Sequence, residues 1–168
     1  DLDEKFKLLK PGMKIVDLGC APGGWSQVAV KKIGVGGKLV GCDLLEVPEI
    51  PGANLIVQDF LDNEAPEIMK NLFGGKADLV MSDMAANTTG HTPTDHIRIM
   101  HLCEIAYLFA TEILAPGGAF ICKVLKGGTE SDLLKQMQKE YVKALKGPKQ
   151  KPKEEKGSED SFYCTLNR

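Results

Sequence analysis

Short apolar runs alternate with amphipathic stretches along most of the chain, and the change of period marks where strands give way to helices. Lys14–Leu18 reads as a short buried strand, followed by a Gly/Pro turn and a helix from about Trp25 to Ile33. A second strand, Lys38–Cys42, ends at Asp43, and a third, Asn54–Val57, ends at Asp59. Glu64–Phe73 has helical composition, and Asp78–Ser82 is a fourth strand ending at Asp83. A long helix over roughly Asp95–Leu114 is expected to stop at Pro116-Gly117-Gly118, because proline cannot continue a helix and glycine caps one. Ala119–Val124 is a fifth strand ending around Lys123, Asp132–Tyr141 an amphipathic helix, 147–157 a loop and Phe162–Leu166 a final strand.

Strand–helix alternation with near-continuous apolar strands predicts an α/β fold, a mostly parallel sheet covered by helices on both faces. No internal repeat interrupts it, so residues 1–168 are read as a single domain. Asp43, Asp59, Asp83 and Lys123 each fall at the carboxyl end of a predicted strand. That edge is where open α/β sheets bind ligands. One acid after a strand is commonplace; four ionisable groups at four strand ends point to a site.

Composition changes this picture little: 43% hydrophobic and 26% charged residues describe an ordinary globular chain. No apolar run approaches the ~20 residues of a membrane span, and no signal-peptide pattern opens the sequence. The expected place is the cytoplasm, or an organelle after removal of a targeting segment, with no membrane partner and a monomeric state. The five cysteines are scattered, never spaced as C-x-x-C, and read as small buried hydrophobes. His91, His96 and His101 recur at a five-residue interval that holds no single helix face, so no metal is expected. The net charge of −2 hides a lysine-rich stretch over 135–156, which could meet phosphate or simply be a solvated face.

The densest signal is Asp17-Leu18-Gly19-Cys20-Ala21-Pro22-Gly23-Gly24-Trp25. A glycine-rich turn between a first strand and a first helix lets backbone N–H groups approach a ligand closely. Its spacing departs from the dinucleotide G-x-G-x-x-G and suits the small zwitterionic end of S-adenosylmethionine instead. Asp43 lies 19 residues beyond Gly24, near the offset of the ribose-binding acid in Rossmann units, where its carboxylate can accept both ribose hydroxyls. Asp59, one strand on, can accept from the adenine amine. Any one of these acids could instead cap a helix; with the turn, cofactor binding is the preferred reading.

These stretches resemble the FtsJ/RrmJ family of RNA ribose 2′-O-methyltransferases. The matching residues are Lys10-Pro11-Gly12-Met13, Asp17 to Gln27 (DLGCAPGGWSQ), Cys42-Asp43-Leu44-Leu45, Gln58-Asp59-Phe60, Met81-Ser82-Asp83-Met84-Ala85 and Leu114 to Val124. The resemblance implies a Rossmann-like methyltransferase fold with an antiparallel last strand. It implies S-adenosylmethionine as cofactor, S-adenosylhomocysteine as product, and Gly19, Pro22, Gly23, Gly24, Trp25, Asp43, Asp59 and Asp83 as cofactor contacts. The substrate it implies is a uridine of large-subunit ribosomal RNA, free or in the large ribosomal subunit.

The family's Lys-Asp-Lys-Glu tetrad would place its aspartate at Asp83 and its second lysine at Lys123. A ribose 2′-hydroxyl is a poor nucleophile whose proton must leave as the methyl sulfonium is attacked in line. A lysine takes that proton only if its pKa falls well below ~10.4; otherwise it stays charged and stabilises the developing alkoxide. The family's first lysine belongs to a segment upstream of the first strand, and Phe6-Lys7-Leu8 lies too close to Pro11 to supply it, so the chain is read as starting just downstream of that segment. The tetrad's glutamate aligns with the run Ser158-Glu159-Asp160-Ser161, with Glu159 favoured over Asp160 or the Ser161 position. Two other readings stay open: a noncatalytic RNA-binding or ribosome-assembly factor on the same fold, and a methyltransferase for another substrate.

Overall fold

The computed structural model describes residues 7–86, 89–123, 135 and 137. Strands β1 (Lys14–Leu18), β2 (Lys38–Asp43), β3 (Ala53–Val57), β4 (Ala77–Ser82) and β5 (Leu114–Cys122) form one sheet in the order β3-β2-β1-β4-β5. All four pairings are parallel, as expected. This is the Rossmann-like order, in which the chain turns back between β1 and β4 and leaves a crevice beyond their carboxyl ends. The final strand expected over Phe162–Leu166, with its antiparallel direction, lies outside the described residues. So do Glu159, Asp160 and Ser161.

Helix α1 (Gly24–Ile33) covers one face of the sheet, α2 (Ala65–Phe73) and α3 (Thr92–Ile113) the other. Alternation along each strand decides which side chain goes where. Ile15, Leu39, Leu79 and Ile121 pack with Ala29 and Ile33 of α1, whereas Val16, Val40, Val80 and Phe120 pack under Met69, Phe73 and Ala106 of α2 and α3. Both faces of β1, β2 and β4 are therefore largely dry, which explains their near-continuous apolar sequence, interrupted by Asp17 and Asp78. The edge strand β3 is only half-covered, and its Val57 is 60% exposed. Met137, helical like Lys135, is buried with the α2–α3 cluster.

Lysines fasten the second layer. Lys70 pairs with Glu112 and Glu67, joining α2 to α3. Lys38 and Lys76 donate to the carbonyls of Phe73 and Glu112, at the carboxyl ends of these helices, where a cation meets the helix dipole favourably. No helix among the described residues is long and apolar enough to cross a membrane.

Two boundaries differ from the sequence reading. Helix α3 begins at Thr92, three residues before Asp95, with Pro93 in its first turn, where the missing N–H costs nothing. It also ends at Ile113, and β5 starts at once. Pro116-Gly117-Gly118 is not the helix stop; it sits inside β5. Leu114 pairs with Ala77 and Ala119 with Leu79, so three more residues lie on β5 than on β4 between these pairs. The Pro-Gly-Gly run absorbs that excess as an irregularity of the strand.

Candidate active site

Each strand of the central sheet runs one hydrogen bond past its last residue, and this brings the polar residues to a common edge. The Asp83 amide donates to the Leu18 carbonyl at 2.9 Å, the Lys123 amide to Ser82 at 3.0 Å, the Gln58 amide to Asp43 at 2.8 Å, and the Gly19 amide to Cys42 at 2.8 Å. The ladder thus fixes the backbone of Gly19, Asp43, Asp83 and Lys123 before any side chain is considered.

The glycine-rich turn is shaped by close approach. Gly19 has φ +75°, and a Cβ there would lie 2.6 Å from the amide nitrogen of Met84. Only glycine allows the end of β1 to pass so near the residue after Asp83. Gly23 caps α1, Gly24 starts it, and Pro22 is exposed at the tip of the turn. Trp25 is half-buried against the α1-side core.

Asp43 is oriented by two backbone donors, with Ala21 N–H on Oδ2 and Leu45 N–H on Oδ1, each at 2.9 Å. Each oxygen keeps a second lone pair for a hydroxyl donor. Asp59 is held in the same manner by the Leu61 amide at 2.9 Å. Both acids line a cavity of about 440 Å³ together with Gly19, Gln58, Met84, Arg98 and His101. That volume lies within the range of small-molecule sites. Pro22, Gly23, Gly24 and Trp25 do not line it; they shape its Gly19 end from behind.

Asp83 and Lys123 stand at the ends of adjacent strands, outside the cavity lining but next to Met84, which is part of it. Lys123 Nζ lies 3.6 Å from Asp83 Oδ1, and each side chain is 31% exposed. This is an open ion pair, facing solvent on one side.

The sequence reading treated Asp17 only as the first letter of the turn motif. The structure places it buried beneath the turn, outside the cavity lining. It is 1% exposed on the α1 side of β1, accepts from the Ser26 hydroxyl at 2.6 Å, and leaves its Oδ1 without a hydrogen-bond partner. Burial pushes its pKa up to about 7, with Asp83 and Asp43 adding to the rise and the Ser26 hydrogen bond opposing it. Three carboxylates thus converge under the turn. The same burial holds the Cys20 and Cys42 thiols protonated, each pushed up to about 12. They are small core side chains, as expected.

Arg98 and His101 were also missed. They lie three apart on α3 and so share a face, and the packing of α3 on the sheet turns that face to the cavity.

The FtsJ-like methyltransferase family model matches residues 1–166. The chain belongs to this family. Among curated relatives, the ribosomal RNA large subunit methyltransferase E of Rhodospirillum rubrum is 54% identical over 154 residues, 88% of this chain and 59% of its own length. The FtsJ-like chain therefore spans somewhat over half of that relative. Among solved structures, a Plasmodium falciparum protein described as a ribosomal RNA methyltransferase superposes with a TM-score of 0.81 at 24% identity, covering 99% of this chain and 91% of its own. The MycE methyltransferase of mycinamycin biosynthesis, in complex with magnesium and S-adenosylhomocysteine, gives 0.58 at 17% identity over 98% of this chain and 45% of its own. Both confirm the Rossmann-like methyltransferase fold.

Proposed function

We propose that this chain transfers a methyl group from S-adenosylmethionine to the ribose 2′-hydroxyl of RNA, at a uridine of the large ribosomal subunit. The carrying observation is the Asp83–Lys123 pair, 3.6 Å apart, at the strand ends beside a cavity that holds Asp43 and Asp59. The relative's description as a large-subunit ribosomal RNA methyltransferase supports the same substrate.

The donor set fits the cofactor. Asp43, pre-aimed by two amides, is suited to the ribose hydroxyls, and Asp59 with Gln58 to the adenine edge. Gly19 gives the turn its close approach, while Pro22, Gly23, Gly24 and Trp25 set the start of α1 behind it. The Oδ1 of Asp17, buried without a hydrogen-bond partner, leaves a polar atom beneath the turn for a ligand to meet. When bound, the cofactor supplies an electrophilic methyl carbon and leaves as a neutral thioether.

Lys123 then presents a cation to the attacking oxygen. The lysine stands 3.6 Å from the Asp83 carboxylate, and its part is to hold negative charge as the hydroxyl proton departs to water. Asp83 keeps that ammonium at the strand edge. Glu159 is our candidate for the tetrad's acid, and the lysines of 135–156 for contact with RNA phosphates.

The test is labelled methyl transfer to large-subunit ribosomal RNA, with the product nucleoside identified after digestion. Label on a 2′-O-methyl nucleoside is expected; label on a base, or none on RNA, overturns the reading. Asp43→Asn keeps the size and one acceptor but loses the charge. It is expected to weaken cofactor binding by about 1.5–3 kcal/mol, as for hydrogen bonds to a charged group. Unchanged affinity by calorimetry removes Asp43 from the site.

A further inference from the structure

On either side of residues 87–88, two contacts hold the described residues between β4 and α3. The first pin is the contact of Met84 with Gly19, where no side chain fits between them. The second is Asp95, 7% exposed in the first turn of α3. Its Oδ1 accepts from the Thr89 amide at 2.8 Å and the Thr89 hydroxyl at 2.7 Å, and its Oδ2 from the Gly90 amide at 3.2 Å. Gly90, at φ +82°, takes the left-handed conformation that turns successive amides toward one anion. Here the anion belongs to the chain itself. Met84 and Ala86, between the pins, line the cavity, as do Arg98 and His101, one and two turns beyond Asp95 on its own helix.

We propose that Asp95 is a positioning residue for the cofactor cavity: by binding Thr89 and Gly90 it fixes the first turn of α3, and with it the Arg98 and His101 face of that helix, at a set distance from Asp43 and Asp59. This rests on the reading of that cavity as the S-adenosylmethionine site. A carboxylate is needed because three donors converge on it, and the Thr89 amide and hydroxyl, first among its partners, hold its carboxyl below the usual carboxylate range. Without it the first turn of α3 is free to shift, and a ligand must spend binding energy on ordering it.

The experiment measures S-adenosylmethionine affinity by calorimetry, well below the melting temperature, for the unaltered chain and for Asp95→Ala, Asp95→Asn and Lys70→Ala. Lys70 joins α2 to α3 away from the cavity, so its variant reports what a general loss of stability does to binding. Asp95→Ala is expected to weaken binding on the order of tenfold. Asp95→Asn, which keeps one acceptor oxygen but turns an amide toward the remaining donors, should fall between, and Lys70→Ala should bind normally. Equal affinity in folded Asp95→Ala overturns the proposal, as does an equal loss in Lys70→Ala. If Asp95→Ala does not fold, Asp95→Asn and Thr89→Val decide in the same way. Failure of the unaltered chain to bind S-adenosylmethionine is a different result; it removes the cofactor reading and this proposal with it.

Discussion

Lys123→Ala is expected to lower methyl transfer by ~10²–10³-fold while leaving cofactor affinity and melting temperature nearly unchanged. The size follows from removing one preorganised charge aimed at a developing oxyanion. The small stability effect follows from geometry: both partners of the Asp83–Lys123 pair are 31% exposed, and exposed pairs contribute ~0–1 kcal/mol. A structural role predicts the reverse. Truncating one member of a buried pair would strand a carboxylate and cost about 3–5 kcal/mol. Single-turnover transfer, calorimetric affinity and thermal melting, taken together on one preparation, separate the two. A badly destabilised variant that still methylates RNA at the normal rate would falsify the catalytic assignment.

Asp17 should make the ligand-free chain less stable as pH rises from about 4 to about 7. Its carboxyl is raised from 3.8 to about 7 in the folded protein, chiefly by burial. The native state therefore keeps a proton that the unfolded chain gives up within that window. Stability due to this group is fully present below the unfolded value and is lost as pH rises through the folded one, by about 4 kcal/mol over the whole range at 1.36 kcal/mol per pH unit. Above pH 7 its contribution levels off. In Asp17→Asn this component disappears, so the difference in unfolding free energy between variant and parent should change with pH inside the window and be flat above it. Denaturant titrations at half-unit pH steps measure it. Saturating S-adenosylmethionine, a cation, should restore stability more at pH 7.5 than at pH 5 in the parent, and equally at both in the variant. A parallel pair of curves would mean that Asp17 is ionised throughout in the folded chain, its charge met by a partner.

The sheet was legible because its physics is local. Parallel strands buried on both faces must be largely apolar, and β1, β2 and β4 are, with Asp17 and Asp78 as interruptions; β2 and β4 end at the polar Asp43 and Ser82, where the carboxyl edge meets the cavity side. That placement alone singled out Asp43, Asp59, Asp83 and Lys123 as candidates. The glycine-rich turn was legible for a related reason: a residue that must lie 2.6 Å from a neighbouring backbone can only be glycine, and the sequence carries that constraint as a letter. The Pro116-Gly117-Gly118 run misled because proline and glycine mark both helix ends and strand irregularities. Which of the two forms depends on the register with β4, a partner some forty residues away in sequence.

What the sequence determined by itself, then, was the list of strands, the edge at which they offer chemistry, and the turn that a close-approaching ligand needs. Tertiary structure alone decided the rest. Asp17 became a group poised near pH 7 only because α1 and the sheet close over it and two other carboxylates arrive from β2 and β4. Arg98 and His101 became cavity residues only because α3 packs on the sheet with that face toward Asp43 and Asp59, and Asp95 became a clamp only because Gly90 turns two amides back toward it. Burial, charge proximity and the meeting of distant segments are properties of packing. No periodicity along one chain encodes them, since each depends on which elements end up side by side.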